Sequence, residues 1–259
     1  MQPQTTANRG VLSIAGYDPS GGAGILADIK TFEQIGSYGC GVITAVTYQN
    51  DIECNGLKWL PLKEINNQFD ALKERFSFQF VKIGLVQDVD MLKHCIEMFK
   101  NYNSGIKIIW DPVMKASAGF DFGNGFSFND IKLLLKDIYL VTPNINEIRM
   151  IFPAPNAEEA AAEVSMYCNL LLKGGHKEGS QAVDILFQKR KSTGFVSEKI
   201  KGPGKRGTGC VLSAAITAYL DSGDTLEIAC NKAKKYTLNY IKSTEGRLGF
   251  HANHINILA

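Results

Sequence analysis

Apolar positions along this chain switch between two spacings. The runs "VLSIAG", "GVITAVTYQ", "FVKIG", "IKIIWD", "IYLVTPN", "NLLLKGG", "AVDILF" and "TGFVSEKI" are short and β-branched, the signature of strands. Between and after them apolar residues recur three and four apart, which predicts helices over 23–35, 62–76, 89–102, 131–135, 145–151, 209–221 and 226–242. Asp224 with Glu227 has the spacing of a capping-box start for the last one. The stretch "APNAEEAAAEVSMYCN" leaves room for only a short helix. Strand and helix in alternation imply an α/β fold with a mainly parallel sheet covered on both faces.

The chain has 259 residues, 45% hydrophobic and 21% charged. That suits one sizeable domain over 1–259, since α/β units often run to ~250 residues; residues 1–9 are expected to be flexible. A net charge of +2 is too near balance to argue for nucleic acid. No apolar run approaches the ~18 residues of a membrane span, and "MQPQTTANRG" lacks the apolar core of a signal peptide. Six cysteines without knuckle spacing read as free thiols in a reducing compartment, so the expectation is the cytoplasm.

The chemistry-bearing residues gather on that plan. Gly16, Gln49, Gly84, Asp111, Asn144 and Lys173 each fall at the carboxyl end of a predicted strand, the edge where open α/β sheets bind ligands. In the helix of "AGYDPSGGAGILADIKTF", 100° steps from Ile25 put Asp28 at about 300°, inside the apolar stripe. A carboxylate there must meet a partner, either a backbone turn or the amino group of a ligand. In "VTPNINE", Asn144 can cap a helix, while Glu147 with Asp111 can serve a hydrated Mg²⁺. "KRGTGCVLSAAITAYL" opens a helix on glycines, and the free N–H groups and dipole at such a mouth suit an anion. Cys210 at that mouth is either a small packed side chain or a thiolate whose pKa the dipole, Lys205 and Arg206 depress. "GPGKRG" matches G-x-G-x-x-G formally, but no strand follows its helix to complete a dinucleotide-binding unit. His251 and His254 in "HANH" read as a surface tail, and Trp59 and Trp110 as core.

The order and spacing of "SIAGYDPSGGAGILADIKTFEQIGSYGCGVITAVTYQN", "KIG", "DPVM", "TPNINE", "KGGH", "DILF" and "GTGC" resemble the ribokinase-like vitamin kinases. The nearest likeness is to the hydroxymethylpyrimidine/phosphomethylpyrimidine kinases of thiamin synthesis, from about Val11 to Lys242. The resemblance implies a three-layer αβα sandwich, often dimeric, that uses ATP and Mg²⁺ to phosphorylate 4-amino-5-hydroxymethyl-2-methylpyrimidine and then its monophosphate. It also implies roles. Asp28, Gln49 and Val113 hold the pyrimidine; Asp111, Asn144 and Glu147 serve the Mg²⁺–phosphate region; Lys173 and Arg206 meet phosphates. Gly207, Thr208 and Gly209 form an anion hole, and Cys210 is the base. Arg206 stands where the family commonly has histidine, Leu85 where it has methionine, and the tail "RLGFHANHINILA" lacks the usual closing motif. The rival readings are a pyridoxal kinase, a non-catalytic pyrimidine-binding module and a nicotinamide oxidoreductase. Gln49 argues against the first, Lys173, Glu147 and Cys210 together against the second.

Overall fold

β1 (Asn8–Tyr17) buries Val11, Leu12, Ile14 and Ala15 to within 1% exposure. A strand covered on both faces has no polar side, which is why its sequence is a continuous apolar run. The computed structural model describes residues 8–114, 122, 126–174, 180–189, 191–200, 202 and 204–251. Among these, β1 is joined by β2 (Gly39–Gln49), β3 (Cys54–Trp59), β4 (Phe76–Ile83), β5 (Lys107–Trp110), β6 (Leu140–Val141), β7 (Asn169–Leu172), β8 (Gln181–Gln188) and β9 (Lys191–Glu198) in one sheet of order 3-2-1-4-5-6-7-8-9. Strands β2, β1, β4, β5, β6 and β7 run parallel; at the edges β3 pairs antiparallel with β2, β8 with β7 and β9 with β8.

The period-two register sorts side chains into two cores. One face carries Leu12, Ile14, Val81, Ile83, Ile108, Trp110 and Val141 against α2 (Leu62–Lys73), α3 (Val89–Tyr102), α5 (Ile145–Ile151) and α6 (Ala157–Val164). The other carries Phe80, Ile109, Leu140 and Leu171 against α7 (Thr208–Asp221) and α8 (Leu226–Lys242), with α1 (Gly24–Ile35) packed on α7 through Phe32 and Ala214. The result is a three-layer αβα sandwich. From β1 the chain moves to β2 on one side and later to β4 on the other. That reversal opens a crevice at the carboxyl edge of the sheet.

Several expectations need correction. Strand β3 was not legible, because an edge strand that is mostly half-exposed lacks a clean apolar face. No helix forms over 131–135: α4 is the single turn Phe128–Ile131, capped by Ser127, followed by a 3-10 turn at Leu135–Asp137. The cap of α8 is Thr225, whose side chain accepts from the Ile228 N–H, while Asp224 pairs with Lys232 at 2.7 Å. Asn8 and Arg9 belong to β1, and Arg9 binds Asp221 at 3.0 Å. His251 is not a loose tail residue: its Nδ1 lies 3.0 Å from the Tyr236 hydroxyl and its ring 4.8 Å from that of Tyr240. Burial pushes its pKa down to about 4, so it is neutral. His254 lies outside the described residues. Trp110 is fully buried, whereas Trp59 is half-buried on the edge strand. Among the described residues no helix is long and apolar enough to cross a membrane.

Candidate active site

All six strand-end residues singled out above line one cavity of about 870 Å³ at the carboxyl edge of the sheet. Gln49 ends β2 and Ala182 lies on β8, yet both belong to its wall. Between β2 and β8 stand six strand spacings, on the order of 25–30 Å at roughly 4.8 Å each. A cleft that long accommodates two ligands end to end.

The mouth of α7 lies at its centre. Gly207 has φ +65° and packs so closely that an added Cβ would sit 2.0 Å from the Gly22 carbonyl oxygen. A Cβ on Gly209 would sit 3.2 Å from Lys173 Nζ. These two glycines let the backbone of α7 approach the loop before α1 on one side and the Lys173 ammonium on the other. Their N–H groups begin a helix, so they lack intrahelical acceptors and are available to an anion.

Cys210 lines the same wall, partly exposed, and accepts a hydrogen bond at sulfur from the Gly24 main-chain N–H, the first of α1. Two helix N-termini therefore meet at one thiol. Even so, burial pushes the Cys210 pKa up to about 11, against the opposing pull of Lys82. The expectation that Lys205 and Arg206 lower it is overturned by where those side chains go. Lys205 is bonded to Thr244 and Gly246, and Arg206 reaches Gln49 Oε1 at 3.3 Å and the Asn50 carbonyl at 2.8 Å.

The cation that pulls against that burial is one that sequence reasoning missed. Lys82 is fully buried, lines the cavity and donates to both carboxylate oxygens of Asp28 at 2.6 Å. Ser13 donates to the same carboxylate at 2.6 Å. Asp28 itself is not among the wall residues, so neither expected partner is the one it meets: the carboxylate is taken up by Lys82 and Ser13. Burial opposes the charge on Lys82, but Asp28, Cys210 and Asp111 together hold its pKa above the ordinary lysine value. A signal for Lys82 was present in "FQFVKIG". A central parallel strand has no solvated face, so a lysine within it must be buried and paired.

On the other side of the mouth, Lys173 Nζ lies 2.8 Å from Asp111 Oδ1 and 3.5 Å from Glu147 Oε2. Asp111 is also held by Thr142 at 3.2 Å and by Ser213 of α7 at 3.1 Å. Burial alone would raise its pKa, but Lys173 and Lys82 bring it below the usual carboxylate range, so it is ionised. Glu147 is raised by burial, with Lys173 opposing. Asn144 is the N-cap of α5, accepting from the Asn146 and Glu147 N–H groups, while Glu147 Oε2 accepts from the Asn144 N–H at 2.7 Å. Thus the cap seen in the sequence and the carboxylate on the cavity wall belong to one capping box. Leu85, packed against Gly16, and Val113 belong to the cavity's apolar lining.

A model of phosphomethylpyrimidine kinases matches residues 18–256. The chain belongs to the phosphomethylpyrimidine kinase family. This kinase is 34% identical to the hydroxymethylpyrimidine/phosphomethylpyrimidine kinase of Aquifex aeolicus, over 90% of this chain and 94% of that one. It is 35% identical to the thiamine biosynthesis bifunctional protein ThiED of Geobacter sulfurreducens over 95% of its length, but spans only 52% of that longer protein. The crystal structure of phosphomethylpyrimidine kinase from Clostridium difficile superposes with a TM-score of 0.71 at 34% identity, covering 89% of this chain and 98% of that one. Pyridoxal kinase of Staphylococcus aureus in complex with AMP-PCP superposes at 0.81 with 24% identity, covering 97% and 96%, which shows a shared ribokinase-like fold.

Proposed function

We propose that this kinase transfers the γ-phosphoryl group of ATP to 4-amino-5-hydroxymethyl-2-methylpyrimidine, and then to the resulting monophosphate. The observation that carries this reading is the convergence of Gln49, Lys173, Glu147, Cys210 and the α7 mouth on one cavity within a chain of this family.

Gln49 stands at the acceptor end. A guanidinium only donates, so the amide atom facing Arg206 is Oε1, and Nε2 is left to donate to a ring nitrogen. Oε1 keeps a second lone pair for the ligand's amino group. In the first transfer the hydroxymethyl oxygen bonds to the γ-phosphorus, the bond to the β–γ bridging oxygen breaks, and ADP leaves. The alcohol proton passes to Cys210 Sγ in its thiolate form. Asp28 acts on this chemistry through Lys82 and not by touching the acceptor. The α7 amides and Lys173 hold the charge that accumulates on the transferring group.

The donor set fits Mg²⁺ arriving with the nucleotide. Among the described residues no three His, Cys, Asp or Glu side chains form a metal cage, while two hard carboxylates, Asp111 and Glu147, border the anion site. A cation that keeps most of its waters and phosphate oxygens needs few protein ligands. Asp111 and Glu147 would hold it, and its contribution would be to neutralise phosphate charge. A homodimer and a cytoplasmic setting, the latter supported by six free cysteines, complete the proposal.

The test is ADP release measured separately with hydroxymethylpyrimidine, its monophosphate and pyridoxal. Turnover on the first two is expected; turnover on pyridoxal alone would overturn the substrate assignment.

A further inference from the structure

Ala23 is the N-cap of α1, and an alanine brings no side-chain acceptor to the N–H groups that open a helix. Asp18, five residues earlier, closes the loop in its place. It is buried on the wall of the cavity, and its carboxylate is turned back into its own loop. Oδ1 accepts from the Ser20 N–H at 2.9 Å and from the Ser20 hydroxyl at 2.8 Å, while Oδ2 accepts from the Ala23 N–H at 2.9 Å. The residues between have other holds: Lys30 donates to the Gly21 carbonyl at 3.0 Å, and Gly22 packs against Gly207. Ala23 takes its side-chain partner from Asp18. The next residue is Gly24, whose φ is +58° and whose added Cβ would sit 2.2 Å from the Gly16 carbonyl oxygen. Its N–H is the one that donates to Cys210 Sγ.

We infer that Asp18 is a positioning residue for Cys210: by fixing Ala23 it aims the Gly24 N–H at the sulfur that takes the alcohol proton. This rests on the base role proposed above. In the first transfer that proton leaves the hydroxymethyl oxygen for Sγ as the oxygen bonds to the γ-phosphorus and the bond to the β–γ bridging oxygen breaks; Asp18 neither gains nor loses one. An N–H pointed at Sγ favours the thiolate over the thiol. The other groups that act on the sulfur have anchors of their own. Lys82 on β4 and Asp28 on α1 hold each other, Asp111 and Lys173 beyond β5 and β7 do the same, and Tyr240 on α8 donates to the Arg206 carbonyl at 3.0 Å. Turning Gly24 away therefore removes one donor and leaves those groups in place. The monophosphate acceptor brings no proton to Sγ, so the second transfer does not draw on that donor.

The experiment compares wild type with Asp18→Ala and Asp18→Asn in two readouts. One is kcat and KM on each acceptor at saturating ATP; the other is the rate at which iodoacetamide alkylates Cys210 at fixed pH, followed by mass spectrometry of its peptide. In Asp18→Ala, kcat on the alcohol should fall about 10- to 100-fold, the range of a hydrogen bond to a charged group, with KM and the second transfer held within about twofold. Alkylation should slow by a similar factor, because the thiolate is the form that reacts. Asp18→Asn, whose amide oxygen can still accept from Ala23, should recover part of both. Faster alkylation would mean that Asp18 merely shuts the loop over the thiol, and equal losses on both acceptors would mean general disorder at the mouth; either overturns the inference. If Asp18→Ala does not fold, the same readouts on Asp18→Asn decide, with smaller losses of the same sign expected. A first transfer indifferent to Cys210→Ala would remove the base reading instead, and the alkylation rate would then decide by itself whether Asp18 acts on the sulfur.

Discussion

Cys210 shows how one residue's chemistry depends on what surrounds it. Two helix N-termini and the Lys82 ammonium favour a thiolate, yet burial outweighs them and holds the pKa at about 11. The charged form of a thiol is the one above its pKa, so the thiolate fraction rises about tenfold per pH unit from 7 toward 11. The rate of the first transfer should therefore climb with pH across that range. The second transfer, onto a phosphate already ionised near neutrality, should stay comparatively flat. Cys210→Ala should lower the first by roughly 10²- to 10⁴-fold, the usual contribution of a general base, and the second far less. Steady-state kinetics on each acceptor between pH 6 and 9 check both statements; parallel profiles, or equal losses, would remove the base role.

At the scale of the element, α7 works because its first turn is free of side-chain bulk. Gly207 has a left-handed φ and no room for a Cβ, since the Gly22 carbonyl would be met at 2.0 Å. Gly207→Ala should displace the first turn and abolish both transfers, with a loss of stability of about 1–3 kcal/mol from backbone strain. Activity assays with a urea melt separate the two effects, and a variant that keeps full turnover would show that the mouth does not hold the phosphate. Element boundaries were readable where caps and periodicity agree. The helices Val89–Tyr102, Ile145–Ile151 and Leu226–Lys242 end where the sequence pattern ends. They were unreadable where tertiary contact substitutes for pattern, as in β3, which exists by pairing with β2.

Across the whole molecule, the Asp28–Lys82 pair ties the α1 layer to the centre of the sheet beneath the cavity. Both side chains are fully buried, so neither charge has water to fall back on. Lys82→Met leaves the Asp28 carboxylate with the Ser13 hydroxyl but no counter-charge and should destabilise the protein by about 3–5 kcal/mol. The double variant Asp28→Asn with Lys82→Met removes both charges and should recover much of that loss. Urea unfolding of wild type, Asp28→Asn, Lys82→Met and the double variant reads the coupling; additive single and double effects would mean that the two groups are not a unit.

The sequence by itself determined the layers, the parallel sheet, the strand-end rim and the glycine-led mouth of α7. Each of these follows from local rules: apolar period, turn chemistry and the placement of polar residues after strands. What only the tertiary structure decided is who partners whom. Asp28 meets Lys82, Arg206 turns to Gln49, Lys205 leaves the thiol for the loop at Thr244, and Cys210 is desolvated. Those outcomes depend on distances between segments far apart in the chain. Charge and hydrogen-bond energies change steeply with such distances and with the water excluded around them, and no residue spacing along one strand or helix encodes either.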